Sequence, residues 1–418
     1  MGLFPVKLND DFWKIRSSEA LYILSSRIIV ALVTLSLIKS NQLILSSYFL
    51  FVYFLSRTIS GLALSHLFDQ LDKKKILFVL NLIFIFLTIY YLYNISYGGP
   101  IYFFFIISII LGLIDALYSP VVNAYIPFIV SKHELDEAYR KTFLLQASLN
   151  VFGIGLGMAG YEVIGIINMT WTLCGLIVLS VCILYGVNNR GTRILQKRED
   201  NPSSALNSLR LFFRYRFEPY WALSSLLVNM ILVPFSSLVI PYFVESVKHS
   251  SAIMIGIIEA SAAIGAICAS VFFQSYFEKI YGKVRTVIFS FFMIGLCLVG
   301  LSLFISHIIW CLLAFLIGVS VILNNVSIES SRSIAIPERH RVKIQTVHTA
   351  FIGLGNPFGF ILFSMIIEKW NYSVVLLIGG FLICVVSLFL KYIPMFDDLL
   401  SKDKEEIDSI YDKNYGDL

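Results

Sequence analysis

The sequence predicts an all-α integral membrane protein: twelve transmembrane helices in two pseudo-symmetric six-helix bundles. Three observations predict it: a composition too apolar for a water-soluble chain, twelve apolar runs of membrane-crossing length, and basic residues that alternate from link to link. Of 418 residues, 58% are hydrophobic and 14% charged, whereas soluble chains carry about 45–50% and about 25%. A spanning helix takes about 20 residues, so this apolar content fills roughly twelve. The 35 Phe and 22 Tyr argue against intrinsic disorder. The stretch from Ile101 to Leu113 is apolar without alternation, which disfavours a β-barrel and suits helices that satisfy their own backbone groups.

In chain order, the apolar runs of the first half occupy 19–38, 44–68, 76–95, 101–126, 139–166 and 168–187. Before them, Met1 to Ala20 carries charges and lacks an apolar core ahead of a cleavage site, so the first span itself is expected to direct insertion. Spans three and four are joined by a short turn containing Gly98-Gly99-Pro100. A polar stretch with Pro202 and several Ser and Asn then separates the halves, and six more runs follow at 219–244, 252–277, 284–305, 308–329, 342–367 and 372–393. The expected organisation is an N-terminal bundle over 1–187, a cytoplasmic linker over 188–218, a C-terminal bundle over 219–394 and an acidic cytoplasmic tail over 395–418. That tail carries eight acidic and three basic residues after Ile393 and reads as solvated.

Charge distribution tests the span count independently, because cytoplasmic links accumulate Lys and Arg. With the N-terminus inside, 27 of the 32 basic residues fall on inner segments, three (Lys39, Lys248, Lys369) on outer links, and Arg27 and Arg57 within spans. One missed or invented span would invert every later link. Both termini are therefore expected in the cytoplasm, with the chain in the cell (inner) membrane. The formal charge of +5 is explained by this pattern, so nucleic acid is not an expected partner.

No enzyme constellation is present. The six cysteines, Cys174, Cys182, Cys268, Cys297, Cys311 and Cys384, lie singly in apolar segments and read as small buried side chains. The sequence has no Gly-Lys-Ser/Thr phosphate loop, so nucleotide is not the energy source, and the histidines have no partners at metal spacing. No cofactor and no metal are expected. His348, inside span eleven, reads as a satisfied polar core residue.

The halves repeat each other roughly 200 residues apart, a construction common in secondary transporters. Ser65-His66-Leu67-Phe68-Asp69-Gln70-Leu71-Asp72-Lys73-Lys74-Lys75 follows span two, and Gln274 to Arg285, with Glu278, Lys279 and Lys283, follows span eight. Both place an acid where a helix ends and basic residues just beyond. Span five carries Gly153, Gly155, Gly157 and Gly160, and span eleven Gly353, Gly355 and Gly359 beside Pro357; small residues at these positions let helices approach and slide. On these residues the chain resembles the major facilitator superfamily. Asp69, Lys73 and Lys74 match the signature after span two, while Ser65, Gln70 and Asp72 replace its Gly, Arg and second Gly. Pro120, Ala124, Pro127, Leu135 and Ala138, with Pro337, Arg341 and Val342 in the second half, resemble the macrolide-efflux and siderophore-export branch. The resemblance implies the major facilitator fold, export, and a gating latch formed by Asp69, Lys73 and Lys74 and by Glu278, Lys279 and Lys283.

An ionisable group deep in a span is costly and is by default a functional candidate. Arg27, Arg57, Asp115 and Glu259 qualify. At about 1.5 Å per residue, the first three share one level, roughly 10–12 Å from the inner side. Asp115 is expected to pair with Arg27 or Arg57, leaving one guanidinium for a carboxylate- or phosphate-bearing substrate. Glu259 stands without a basic neighbour, which suits it to taking up and releasing a proton. Glu162, Glu245 and Glu329 fall at membrane edges and read as solvated. The expectation is a proton-coupled exporter of a small organic molecule such as a drug, siderophore or peptide-like metabolite, monomeric in the bilayer. Nutrient import by the same coupling, and a lipid-handling membrane protein, are the alternatives.

Overall fold

The computed structural model describes residues 9–64, 72–97, 100, 102–126, 129–130, 135–188, 205–402, 406 and 410–411, and among them every regular element is helical. Among the described residues, ten helices are long and apolar enough to cross a membrane. Two of these are double. The helix Leu135–Tyr185 breaks at Gly165, with φ 78° and ψ 164°. The continuous helical stretch Ile253–Leu303 breaks at Gly282, with φ 77° and ψ 160°. A residue with a Cβ resists that backbone conformation, so glycine turns the chain there without a separate loop. Divided at these glycines, the ten become twelve spans: Asp10–Lys39, Leu43–Leu64, Lys73–Tyr97, Tyr102–Tyr125, 135–164, 166–185, Phe217–Val247, 253–281, 283–303, His307–Ala335, 338–369 and Tyr372–Phe389. They are called spans one to twelve below.

Local chemistry explains several ends. The Asn9 side chain accepts from the Asp11 backbone N–H at 3.3 Å, so span one starts well before its apolar run. Asp72 Oδ1 accepts from the backbone N–H of Lys74 at 3.0 Å and caps span three. Asn371 accepts from Val374 N–H at 3.0 Å and caps span twelve. Span seven passes Pro234 and then widens into π turns at Phe235–Val239 and Phe243–Val247. Such wide turns accommodate a break in the i to i−4 ladder and redirect side chains.

The chain divides into two compact units, 1–198 with 244–256 and 199–243 with 257–418. In the first, span one packs on span five, span two on span four, and span three on spans four and six. In the second, span seven packs on span eleven, span eight on span ten, and span nine on spans ten and twelve. The same neighbour relations therefore recur six spans later. Glycines recur with them. A Cβ on Gly112 of span four would lie 2.4 Å from the Tyr53 carbonyl of span two, and one on Gly318 of span ten 1.9 Å from the Ala262 carbonyl of span eight.

The link after span six contains a helix, Ala205–Arg214, in which Phe212 is buried while Leu209 and Phe213 are exposed. Two expectations need correction. The tail is not solvated throughout: Phe396, Leu399 and Leu400 are buried in the short helix Phe396–Ser401, and Ile410 and Tyr411 are buried beyond it. Their apolar spacing supplies one face to cover. The segment 244–256 lies with the first unit, where Glu245 is 3.6 Å from Lys39 and Glu162 accepts from the Ala252 backbone N–H. Those two carboxylates are engaged rather than merely solvated.

Candidate functional site

Asp115, on span four, is the centre of the first unit's polar core, 8% exposed. Span one reaches it through Tyr22 and Ser26, four apart and so on one helix face, and span two reaches it through Tyr53. From span one, Tyr22 and Ser26 both donate to Oδ1, Ser26 at 2.7 Å. From span two, Tyr53 donates to Oδ2, and Arg27 of span one sits 3.2 Å from the same oxygen. Arg27 also donates to Tyr53 Oη at 2.8 Å. An ionised carboxylate offers about four acceptor sites, so Asp115 is saturated and its charge is met by Arg27.

Arg57 lies one turn beyond Tyr53, partly buried, within electrostatic reach of Asp115. It makes no hydrogen bond or ion pair with another described residue. Of the two arginines, then, Arg27 is the one in contact with the acid. Close helix approach builds this arrangement. A Cβ on Gly112 would also lie 2.9 Å from the Arg57 backbone N, and one on Gly153 of span five 2.6 Å from Arg27 Cβ.

Toward the lysine-rich end of the first unit the polar core continues. Tyr22 stacks on Tyr118 at 3.8 Å and 4°. Tyr118 Oη meets Ser18 Oγ at 3.2 Å and accepts from Asn81 at 3.0 Å, and Ser18 Oγ meets Ser180 at 2.8 Å. Beyond it, fully buried Arg16 and Glu19 pair, with Asn123 accepting from Arg16 at 3.1 Å and Gln146 donating to Glu19 at 2.8 Å. Span-depth reasoning missed Tyr22, Ser26 and Tyr53 because it sought charge alone. The four-residue spacing Ser18, Tyr22, Ser26 inside an apolar run was the available signal.

In the second unit, Glu259 of span eight is 7% exposed. Ser236, carried by the first π turn of span seven, donates to its Oε1 at 2.6 Å. Glu259 has no ion pair among the described residues. A second acid, Glu218, is fully buried at the start of span seven. Arg332 of span ten donates to both its oxygens at 3.0 and 2.9 Å, and Tyr411 donates to Oε1 at 2.9 Å. Arg332 also donates to Glu329 at 2.9 Å. Glu329, expected to be solvated, keeps a side chain 44% exposed while it pairs with Arg332, whereas Arg332, expected in a link, is buried.

The other predicted residues distribute as follows. Asp69 lies outside the described residues. Lys74 donates to the carbonyls of Tyr185 at 3.2 Å and Val187 at 2.7 Å, closing the end of span six. Lys73 is partly buried at the start of span three, and Lys279 is exposed. Glu278 accepts from Gln274 at 2.6 Å and Ser327 at 2.7 Å, and Lys283 donates to Ser331 at 3.0 Å. Gly153 and Gly157 face Arg27 and Ile28 of span one, and Gly355 and Gly359 face Leu226 and Met230 of span seven. Gly155 abuts Gly256, Gly160 abuts Met169, and Gly353 ends the first segment of span eleven. His348 is 5% exposed, as expected of a core histidine, but its Nε2 has no hydrogen-bond partner among the described residues, so it is not satisfied there.

The family model described as Major Facilitator Superfamily matches residues 18–331 and, in an overlapping placement, 232–409. No curated protein sequence matches. Solved structures do. A D-xylose-proton symporter superposes with TM-score 0.73 at 15% identity, covering 92% of this chain and 98% of its own. The POT family transporter PepTSo gives 0.71 at 11%, covering 94% and 99%. The nucleoside transporter NupG gives 0.68 at 13%, covering 94% and 100%. At such identities the likeness is one of fold.

Proposed function

The chain belongs to the Major Facilitator Superfamily, and we propose that it is a proton-coupled exporter of a small organic molecule carrying an anionic group, working by alternating access. The observation that carries this reading is the asymmetry of the two arginines around Asp115. Arg27 is in contact with the acid, whereas Arg57 has no bonded partner among the described residues. A guanidinium held at membrane depth is costly unless it meets an acceptor. A carboxylate or phosphate on the cargo is the fitting acceptor, since a planar fork of donors binds it in two places.

Glu259 is the proposed proton carrier, because its one bond comes from a neutral hydroxyl. A carboxyl in that setting alternates between protonated and ionised forms more readily than one locked to an arginine. Each charge crossing the membrane gains about 2.3 kcal/mol per 100 mV, enough to drive cargo against a concentration ratio of several tens. The proposed topology has both termini in the cytoplasm and the chain as a monomer in the cell membrane. Asp69, Lys73, Lys74, Glu278, Lys279 and Lys283 are the proposed gating residues at cytoplasmic helix ends. Gly153 and Gly157 of span five, and Gly355 and Gly359 of span eleven, are the proposed surfaces on which spans one and seven shift.

Export rests on the efflux-like segments at Pro120–Ala138 and Pro337–Val342. The second reading is proton-coupled uptake, favoured by the D-xylose-proton symporter among the structures of like fold. Counterflow in vesicles tests the shared core of both. Carboxylate- or phosphate-bearing solutes are expected to exchange through the normal chain and through Glu259→Gln, but not through Arg57→Ala. Unchanged exchange through a normally inserted Arg57→Ala would overturn the reading.

A further inference from the structure

Inside the second unit, spans seven, nine, ten and eleven line a partly open cavity of about 140 Å³ that no part of the transport scheme uses. Trp221 and Val228 of span seven, and Phe291 and Ile294 of span nine, supply apolar walls. Asn229, Asn324 and His348 supply polar ones. Two of these polar groups lack partners among the described residues. Asn324 is 7% exposed with Oδ1 unbonded there, and His348 is 5% exposed with Nε2 unbonded there. A buried polar atom left without a partner destabilises a fold by about 1–3 kcal/mol. Two around one cavity point to an occupant that completes them.

The occupant's chemistry follows from the walls. Glu329 and Glu218 share the one guanidinium of Arg332, so this rim carries an excess of negative charge that opposes an anion. The side chains that await a partner, Asn324 and His348, offer a hydrogen-bonding atom rather than a counter-charge, so a charged group set against them would lose its hydration without an ionic partner, at high cost. Asn324 Oδ1 requires a donor from the ligand, while the neutral His348 ring offers either a donor or an acceptor at Nε2, according to its tautomer. Trp221 and Phe291 present aromatic surface. The volume is close to the roughly 150 Å³ of an engineered protein cavity that takes up benzene.

We propose that this cavity is a binding site for a neutral, single-ring-sized group that both donates and accepts hydrogen bonds, held by Asn324 and His348 between Trp221 and Phe291. The group arrives either as part of the transported cargo or as a free small effector; the hydrogen-bonding chemistry is common to both. Binding here needs neither a proton gradient nor Arg57, so it stands or falls separately from the transport reading.

2-Pyridone, whose ring N–H and C=O lie side by side, is the probe. Calorimetry and thermal unfolding of the purified full chain are expected to give saturable binding of 2-pyridone. 1-Methyl-2-pyridone, which lacks the N–H, is expected to bind about tenfold more weakly or less. Asn324→Leu and His348→Phe should each weaken 2-pyridone about tenfold while leaving the ligand-free unfolding temperature unchanged or higher, since each removes an orphaned polar atom. Uptake of labelled 2-pyridone into vesicles marks a cargo group, and binding without uptake marks an effector; either supports the site. Absence of saturable binding, equal binding of the methylated probe, or full binding by both variants overturns it and leaves the cavity to water alone. If either variant fails to fold, Ile294→Phe, which fills the cavity from span nine without touching its polar groups, is expected to abolish 2-pyridone binding, and retained binding overturns the proposal equally.

Discussion

Replacing Asp115 with Asn preserves the side chain's shape while removing its charge and half of its acceptor capacity. The carboxylate receives Tyr22 and Ser26 on one oxygen and Tyr53 and Arg27 on the other. An amide has a single acceptor oxygen, so at least one oxygen's donors face an NH₂ group instead. Arg27, with its side chain 13% exposed, then keeps a positive charge without its partner. Breaking one side of a buried pair costs about 3–5 kcal/mol. Arg27→Gln should cost a similar amount, and the double variant Arg27→Gln with Asp115→Asn should be less damaging than the sum. The expected coupling is about 1.5–3 kcal/mol, part of the loss persisting because Tyr22, Tyr53 and Ser26 then share a single acceptor oxygen. Arg57→Gln, at a side chain with no direct bond among the described residues, should change stability by only about 0.5 kcal/mol. Thermal unfolding of the purified variants in detergent reads all four. Additive losses for the Arg27 and Asp115 variants, or an Arg57 variant as unstable as the Arg27 one, would refute the assignment of Arg27 as counter-charge.

Glu259→Gln can still accept from Ser236, so it should fold normally and exchange cargo, yet cease to move protons, as a pH-sensitive dye inside vesicles would record. Gly112→Ala would place a Cβ 2.4 Å from the Tyr53 carbonyl. Spans two and four must then separate, at about 1–3 kcal/mol, and the loss should appear in thermal unfolding. Tyr411→Phe removes one hydrogen bond to the buried Glu218 carboxylate, at about 1.5–3 kcal/mol. Truncation after Ser401 should cost at least as much, since it also uncovers Tyr215, whose ring stacks on Tyr411 at 4.8 Å.

The membrane class and the number of spans were legible because apolarity over about 20 residues is a strong, local signal. Where spans five and six, and eight and nine, meet was less so. Gly165 and Gly282 turn the chain inside otherwise continuous helix, and nothing local separates them from glycines that merely pack. Asp115 and Glu259 stood out as acids at membrane depth. Their neutral partners, Tyr22, Ser26, Tyr53 and Ser236, did not, because hydroxyls in apolar runs carry no comparable penalty. The Glu218, Arg332 and Tyr411 cluster was invisible for a different reason. Its members come from three distant parts of the chain, and each alone reads as a link or tail residue. Phe396, Leu399 and Leu400, by contrast, lie at helical spacing within the tail, and that apolar stripe was a readable sign of docking.

The most direct test uses vesicles reconstituted with the purified chain, loaded with a pH-sensitive dye and challenged with a panel of monocarboxylates, sugar phosphates and short peptides. At least one such solute is expected to change the internal pH through the normal chain, with the change absent in both Arg57→Gln and Glu259→Gln. A panel without any response, or a response that survives both substitutions in normally inserted protein, would contradict the account.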